Sequence, residues 1–238
     1  MTTAAPPEPI VSLRGVTLEL RARRRIFSPA HRVLDALDLD VYPHQTLGVI
    51  GRNGCGKTTL LRVIAGVFAP DGGQVTRRTD SCHLLTLNPW LVPYLTGRQN
   101  ALLACMLNGR RYRDARALLP AIEAIAEIGS YFDEPVASYS AGMLLRVGFA
   151  AAVQVEPDVL LLDELLGVGD ADFYAKSRRI LHEMIEADRT VVLVSHNESA
   201  LRELCDRVVW LDGGRIRADG EPGAVLEAYR ATMHSTPG

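Results

Sequence analysis

Residues 51–58 read Gly-Arg-Asn-Gly-Cys-Gly-Lys-Thr and fit the pattern G-x-x-x-x-G-K-[ST] at every fixed position. Each fixed type has a chemical reason. Gly51, Gly54 and Gly56 let the backbone turn its N–H groups inward around a polyphosphate. Lys57 can reach the terminal phosphates, and the hydroxyl of Thr58 is suited to Mg2+. Arg52, Asn53, Gly54 and Cys55 fill the four free positions, Thr59 follows, and the next helix adds its positive end. At average residue frequencies this pattern arises by chance in about one chain in a hundred of this length, so context must decide. Here it follows TLGVI (46–50), a short apolar run suited to a fully buried parallel strand. It precedes TTLLRVIAGVF, which carries apolar residues at helical spacing. Strand, loop and helix form the context a phosphate cradle requires. Cys55 has nothing beside it that marks a nucleophile and reads as structural.

Two further runs end in residues able to complete such a site. VLLLDE (159–164) reads as a second buried parallel strand, ending in Asp163 and Glu164. Beside a phosphate loop, an ionised Asp163 is placed to coordinate Mg2+ directly or through water. Glu164 points the other way on the strand, where it can orient and deprotonate an attacking water. TVVLVSH (190–196) is a third apolar run, ending in His196. A lone His at a strand end is commonly satisfied by its neighbours. At the same sheet edge as Lys57 and Glu164, it is expected to contact the γ-phosphate.

The rest of the chain must position these groups. At 238 residues it can form one large domain or one domain with a sizeable insertion. The apolar fraction is 47% and the charged fraction 23%, as in ordinary globular proteins. A net charge of −2 gives no global indication of nucleic acid as a partner. Cys55, Cys82, Cys105 and Cys205 are scattered without a CxxC pair, which argues against a zinc site or a disulfide framework. No stretch resembles a signal peptide, and no apolar run approaches the roughly 18 residues of a membrane span. Any membrane role is therefore expected to come through a partner.

Residues 1–9 are small, Pro-rich and expected to be a disordered arm. Residues 10–20 and 37–41 alternate apolar and polar, as half-buried antiparallel strands do. Between them, RARRRIFSPAHR carries five Arg and reads as a loop. Residues 96–128 read as helices, with a break at Asn108-Gly109 and a kink at Pro120. Residues 140–155 form another helix, stopped by Glu156-Pro157. Residues 207–220 carry Asp212-Gly213-Gly214 between two alternating runs, a hairpin pattern, and a short helix at about 222–233 closes the chain. Alternating strands and helices imply an α/β parallel sheet. The helical block at about 87–155 interrupts that alternation and reads as an inserted α-helical subdomain. The core spans about 10–86 and 156–220, all within one domain at 10–238.

The helix at 140 opens with Tyr139-Ser140-Ala141-Gly142-Met143, and nothing nearby in sequence gives the small residues a use. The order of phosphate loop, S-x-G helix, hydrophobic-DE and S-H resembles the ATP-binding cassette family of ATPases, across residues 10 to about 230. That resemblance implies a RecA-like P-loop core with an N-terminal antiparallel β subdomain. It also implies a head-to-tail dimer in which Ser140, Ala141 and Gly142 touch the ATP held by the partner's loop. An anion at a helix N-terminus is physically sound. Most cassettes read LSGGQ at this point.

The YS-x-GM form, with LTGRQN (95–100) and GVGDADF (167–173), resembles the subgroup that exports cell-surface polysaccharides. GSYFDEPVASYSAGM and AHRVLDALDLDV look most like the capsular type, with O-antigen next and teichoic acid third. Because the sequence stops at Gly238, the short kind without a glycan-binding C-terminal domain is expected.

The resemblance implies ATP and Mg2+ as cofactors, a second copy of the chain, and a separate dimeric transmembrane permease at the cytoplasmic face of the inner membrane. A lipid-linked polysaccharide would be the cargo, with no nucleic acid. The family's usual glutamine falls near Leu87, beside Thr86 and Asn88, and its adenine-stacking aromatic near Leu20, with Phe27 as a stand-in. Arg21–Arg25 could face anionic lipid or a transporter partner, or remain a solvated loop. The rivals are a cassette for other cargo, a soluble cassette acting on nucleic acid or the ribosome, and a nucleotide-gated module without turnover. The soluble kind usually carries a long coiled-coil insertion or two cassettes, and neither is found.

Overall fold

The computed structural model describes residues 7–20, 31–79, 81–85, 91–163, 171–187 and 189–234. Two sheets carry it. The first is antiparallel, in the order β2-β1-β4, from β1 (Val11–Leu20), β2 (His31–Val41) and β4 (Gly72–Arg77). The second has six strands in the order β5-β6-β7-β3-β8-β9. These are β3 (Thr46–Ile50), β5 (Cys82–Leu85), β6 (Val159–Asp163), β7 (Thr190–Val194), β8 (Arg207–Asp212) and β9 (Arg215–Gly220). All neighbours in it run parallel except the β8–β9 hairpin.

The unbroken apolar runs follow from burial on both faces of the second sheet. In β6, Leu160 and Leu162 join one core, while Val159 and Leu161 join another on the opposite face. β7 divides in the same way, Val191 and Leu193 against Val192 and Val194. β1 alternates as a one-sided strand should, but its buried set changes phase from Val11 and Leu13 to Val16 and Leu18. A register shift against β2 lies between Leu13 and Val16, so a bulge accounts for the change. β2 begins at His31, earlier than the alternation from residue 37 suggests, so the end of the Arg-rich stretch belongs to a strand. Residues 21–30, including Arg21–Arg25 and Phe27, lie outside the described residues. Of the N-terminal arm, Glu8 pairs with Arg78 at 3.4 Å, and the carbonyl of Pro9 accepts from Arg78 at 2.6 Å.

The helices are α1 (Lys57–Ile64), α2 (Gly97–Leu107), α3 (Tyr112–Ala126), α4 (Ala141–Val155), α5 (Ala171–Glu186), α6 (Glu198–Leu204) and α7 (Pro222–His234). α2 starts on a capping box of Thr96 and Gln99. Asn100, 2% exposed, donates to the carbonyls of Val92, Leu95 and Thr96 and accepts from the Val92 N–H at 2.7 Å. LTGRQN therefore shapes its own turn. Asn108 ends α2, while Pro120 sits within α3 on an exposed position and does not end it.

α2, α3 and α4 share a core built on Ala101, Ile122, Phe132 and Val147. α4 also serves the main core, where Leu145, Phe149, Ala152 and Val153 pack with Phe173 of α5. Among the described residues, no helix is long and apolar enough to cross a membrane.

Candidate functional site

β3 lies between β7 and β8, at the middle of the parallel sheet, and delivers Gly51 to the sheet edge. A Cβ on Gly51 would stand 2.2 Å from the Leu211 carbonyl oxygen and 2.7 Å from the Cys55 Sγ. The loop can pass β8 only without a side chain there. Gly56 caps α1 with φ 110, a left-handed backbone, and a Cβ on it would meet the Val33 carbonyl at 2.8 Å. α1 has no side-chain cap.

Lys57 is 6% exposed, and its Nζ donates to the carbonyls of Gly51 at 2.8 Å and Arg52 at 3.0 Å. The ammonium thus closes the loop from within. Arg52, Asn53 and Gly54 are exposed, Thr58 is half-buried and Thr59 buried. Burial pushes the half-buried Cys55 thiol up, which keeps it a thiol and agrees with a structural role.

Parallel registry brings the other groups to the same edge. Asp163, the last residue of β6, pairs with Val194 of β7, and Val194 pairs with Val49 of β3. The three strands end in one row, so Gly51, Asp163 and the Ser195-His196 bend emerge together. Asp163 is half-buried and His196 exposed. The Ser195 hydroxyl accepts from the Asn197 N–H at 3.0 Å, and the Asn197 side chain caps α6 by accepting from Ala200 at 3.1 Å. That pair of turns sets His196 at the strand exit. The sequence reading uses Ser195 only as part of the S-H pair and gives Asn197 no role, although Asn before a helical run is a cap signal. Glu164 lies outside the described residues, as do Thr86, Leu87 and Asn88. Leu20 ends β1 and is 40% exposed.

Ser140, Ala141 and Gly142 are not part of that edge. Ser140 and Gly142 line a hollow of about 300 Å³ with Glu127, Tyr131, Met143 and Arg146, and no residue of 51–59 lines it. Ser140 does have a local use, contrary to the sequence reading. It is the N-cap of α4, and its Oγ accepts from the Met143 N–H at 3.2 Å. The serine and Ala141 remain exposed. Tyr139 is structural: its hydroxyl donates to the Tyr131 carbonyl at 2.6 Å, and a Cβ on Gly97 would strike it at 2.2 Å. Burial pushes its phenol up. A Cβ on Gly142, by contrast, would meet only Ser140 Oγ, at 3.8 Å.

Comparison with known proteins gives a consistent result. A family model described as ABC transporter matches residues 34–167. The ABC transporter protein AbcA of Aeromonas salmonicida is 40% identical over 203 residues, covering 85% of this chain and 66% of that one. The teichoic acids export ATP-binding protein TagH of Shouchella clausii is 39% identical, covering 82% of this chain and 54% of that one. The chain thus spans between half and two thirds of the length of these two relatives. An O-antigen export system ATP-binding protein, RfbB of Klebsiella pneumoniae, is 37% identical, covering 90% and 87%. The dimeric post-hydrolysis state of the ATP-binding cassette MJ0796, bound to ADP and Pi, superposes with a TM-score of 0.77 at 21% identity, covering 89% of this chain and 98% of that one. That likeness concerns the fold.

Proposed function

Because the chain belongs to the ABC transporter family, we propose that it is the ATP-hydrolysing subunit of an exporter of lipid-linked cell-surface polysaccharide. The observation that supports the ATPase reading is the single row of strand ends from which Gly51, Asp163 and the His196 bend emerge, with Lys57 buried on the loop that follows Gly51. The cargo class is supported by relatives named for O-antigen and teichoic-acid export. Within that class we favour capsular polysaccharide, from GSYFDEPVASYSAGM and AHRVLDALDLDV. The chain would work at the cytoplasmic face of the inner membrane, docked through a separate membrane permease dimer.

Residues 51–59 wrap the phosphates with backbone N–H groups, and Lys57 turns its ammonium from the Gly51 and Arg52 carbonyls toward the β- and γ-phosphates. The Thr58 hydroxyl and the Asp163 carboxylate are hard oxygen donors of the kind Mg2+ takes, and these two residues would hold it. When bound, Mg2+ would neutralise charge on the transferring phosphoryl group. Glu164 accepts the proton of the attacking water, and exposed His196 contacts the γ-phosphate. Catalysis of this kind is mostly positioning and electrostatics.

Ser140, Ala141 and Gly142 serve the ATP of a second copy. Gly142 supports this: among the described residues a Cβ on it would meet only the Ser140 Oγ, at 3.8 Å, so packing there gives no reason for a glycine. Close approach of another molecule explains the choice. The test mixes Ser140→Arg protein with Lys57→Ala protein. If Ser140 acts across the interface, random mixing gives dimers with one intact composite site and about a quarter of wild-type turnover. A mixture no more active than its two components would refute the shared site.

A further inference from the structure

The helix that bears Ser140 is tied to the helix that follows the carboxylate strand by a cluster of four side chains, and the proposed function gives that tie a meaning. α3 ends at Glu127, which holds φ 49 and ψ 44, a left-handed backbone that a side-chain-bearing residue adopts at a cost. The carboxylate of this residue spans two cations. Its Oε1 lies 2.6 Å from Lys176 Nζ of α5, and its Oε2 3.8 Å from Arg146 Nη1 of α4. Both cations also cap the end of α3, Lys176 on the Ala124 carbonyl at 2.8 Å and Arg146 on the Ala126 carbonyl at 3.4 Å. That is the negative end of the helix dipole.

Arg146 is further bound to α5. Its guanidinium lies 4.6 Å from the centre of the Phe173 ring, and Phe173 meets Phe149 of α4 edge-on at 5.7 Å. The Arg146 side chain is 15% exposed and Phe173 is 2% exposed, so the cation–π contact is largely shielded from water. The planar guanidinium of Arg146 lies over Phe173 and donates to the Ala126 carbonyl at once, an arrangement a compact ammonium reproduces less well. Two of the four residues, Glu127 and Arg146, also wall the hollow in front of Ser140 and Gly142. The other two lie near the start of α5, which begins at Ala171, eight positions after Asp163 ends β6.

We propose that Glu127, Arg146, Phe173 and Lys176 form a positioning device that makes the serine-bearing end of α4 move as one body with the start of α5. Rearrangement at the chain's own carboxylate edge would thereby be passed to the serine it offers to a second copy. This rests on the proposed role of Ser140 across the interface. None of the four is a catalytic residue; they act through the placement of Ser140.

Lys176→Met keeps the apolar stem and removes the charge, and Arg146→Lys keeps the charge and removes the stacked plane. Two readouts are needed on the full chain. In the nucleotide-free protein, amide hydrogen exchange over 124–128 and 141–145 is expected to rise at least about tenfold in each variant. In steady-state ATP hydrolysis, kcat is expected to fall about fivefold or more with KM and ATP affinity unchanged, because the phosphate loop is untouched. Lys176→Arg, which keeps a cation able to meet both the Glu127 carboxylate and the Ala124 carbonyl, should retain most of kcat. Wild-type exchange and wild-type kcat in both single variants would overturn the device. So would a Lys176→Arg protein that loses as much kcat as Lys176→Met. The exchange readout assumes nothing about catalysis, and the Ser140/Lys57 mixing test assumes nothing about the cluster. Failure of the device and failure of the shared site are therefore told apart.

Discussion

α1 and α4 both start at a small residue on a loop and could both present an N-terminus to phosphate, yet they are built in opposite ways. α1 begins at Gly56, with a left-handed backbone and no side-chain cap, and its loop is walled by the Leu211 and Val33 carbonyls. Its glycines are demanded by its own fold. α4 begins at Ser140, with φ −68 and ψ 161, and caps itself through the Met143 N–H. Its mouth is exposed, and nothing among the described residues demands Gly142. A binding loop complete in one chain must be shaped by neighbours in that chain. A surface that serves a second molecule must first be stable in water, and a serine cap gives it that.

The largest test leaves both helix starts intact. Glu164→Gln is expected to keep ATP binding and lower kcat by about 10²–10⁴, the range for loss of a general base. Nucleotide binding and phosphate release measure the two effects, and unchanged turnover would remove Glu164 from the chemistry. The contrast between the mouths is sharper in two glycine variants. Gly51→Ala puts a methyl 2.2 Å from the Leu211 carbonyl and is expected to destabilise the fold by about 1–3 kcal/mol, read as a lower unfolding midpoint. Gly142→Ala is expected to hold or raise stability by up to about 1 kcal/mol. Its turnover should nevertheless fall at least about tenfold, equivalent to ~1.4 kcal/mol of lost transition-state binding. A Gly142→Ala protein with full turnover would erase the distinction.

A smaller effect separates the cap that Ser140 makes from its proposed use by a second copy. Ser140→Ala should cost about 1 kcal/mol as a lost cap, and Ser140→Gly only a few tenths. Calorimetry of the nucleotide-free chain reads this difference, and any turnover lost in the glycine variant then belongs to the hydroxyl.

The smallest concerns the seam between the sheet and the helical block. His83 of β5 lies with Nδ1 2.9 Å from Asn108 Oδ1 at the end of α2, and burial holds its pKa below the ordinary 6.5. The unfolded chain then binds the extra proton first, so the stability from a neutral His83 is present above pH 6.5 and is lost as pH falls below it. The loss of urea midpoint between pH 7 and pH 5 should be shallower in His83→Gln than in the wild type. Equal slopes would show that His83 is not titrating across the seam.

Local patterns made much of this molecule legible. The 51–58 loop carries its glycines and lysine in consecutive order, and TLGVI, VLLLD and TVVLV announce strands buried on both faces. Four elements escaped. β4 is mostly exposed or half-buried, β5 is a short edge strand and α6 is too short for a periodic signal, whereas α5 carries a regular apolar face (Phe173, Tyr174, Ile180, Leu181, Met184) that the reading of the sequence leaves unused. Ser140 was recognised as the start of a helix but not as its cap, because capping depends on the turn the backbone actually takes.

Residue types in consecutive order were enough to specify the phosphate loop, the buried strands and the family, since these depend on backbone conformation and on contacts within one strand–loop–helix unit. Which groups share a site required the folded chain. Asp163 and the His196 bend share a sheet edge with the loop only because β6, β7 and β3 end in one hydrogen-bonded row. α4 belongs to two cores only because its opposite faces meet α5 and α3. Such neighbours lie tens of residues apart, and long-range registry is set by the packing of the whole domain, where no short window of sequence records it.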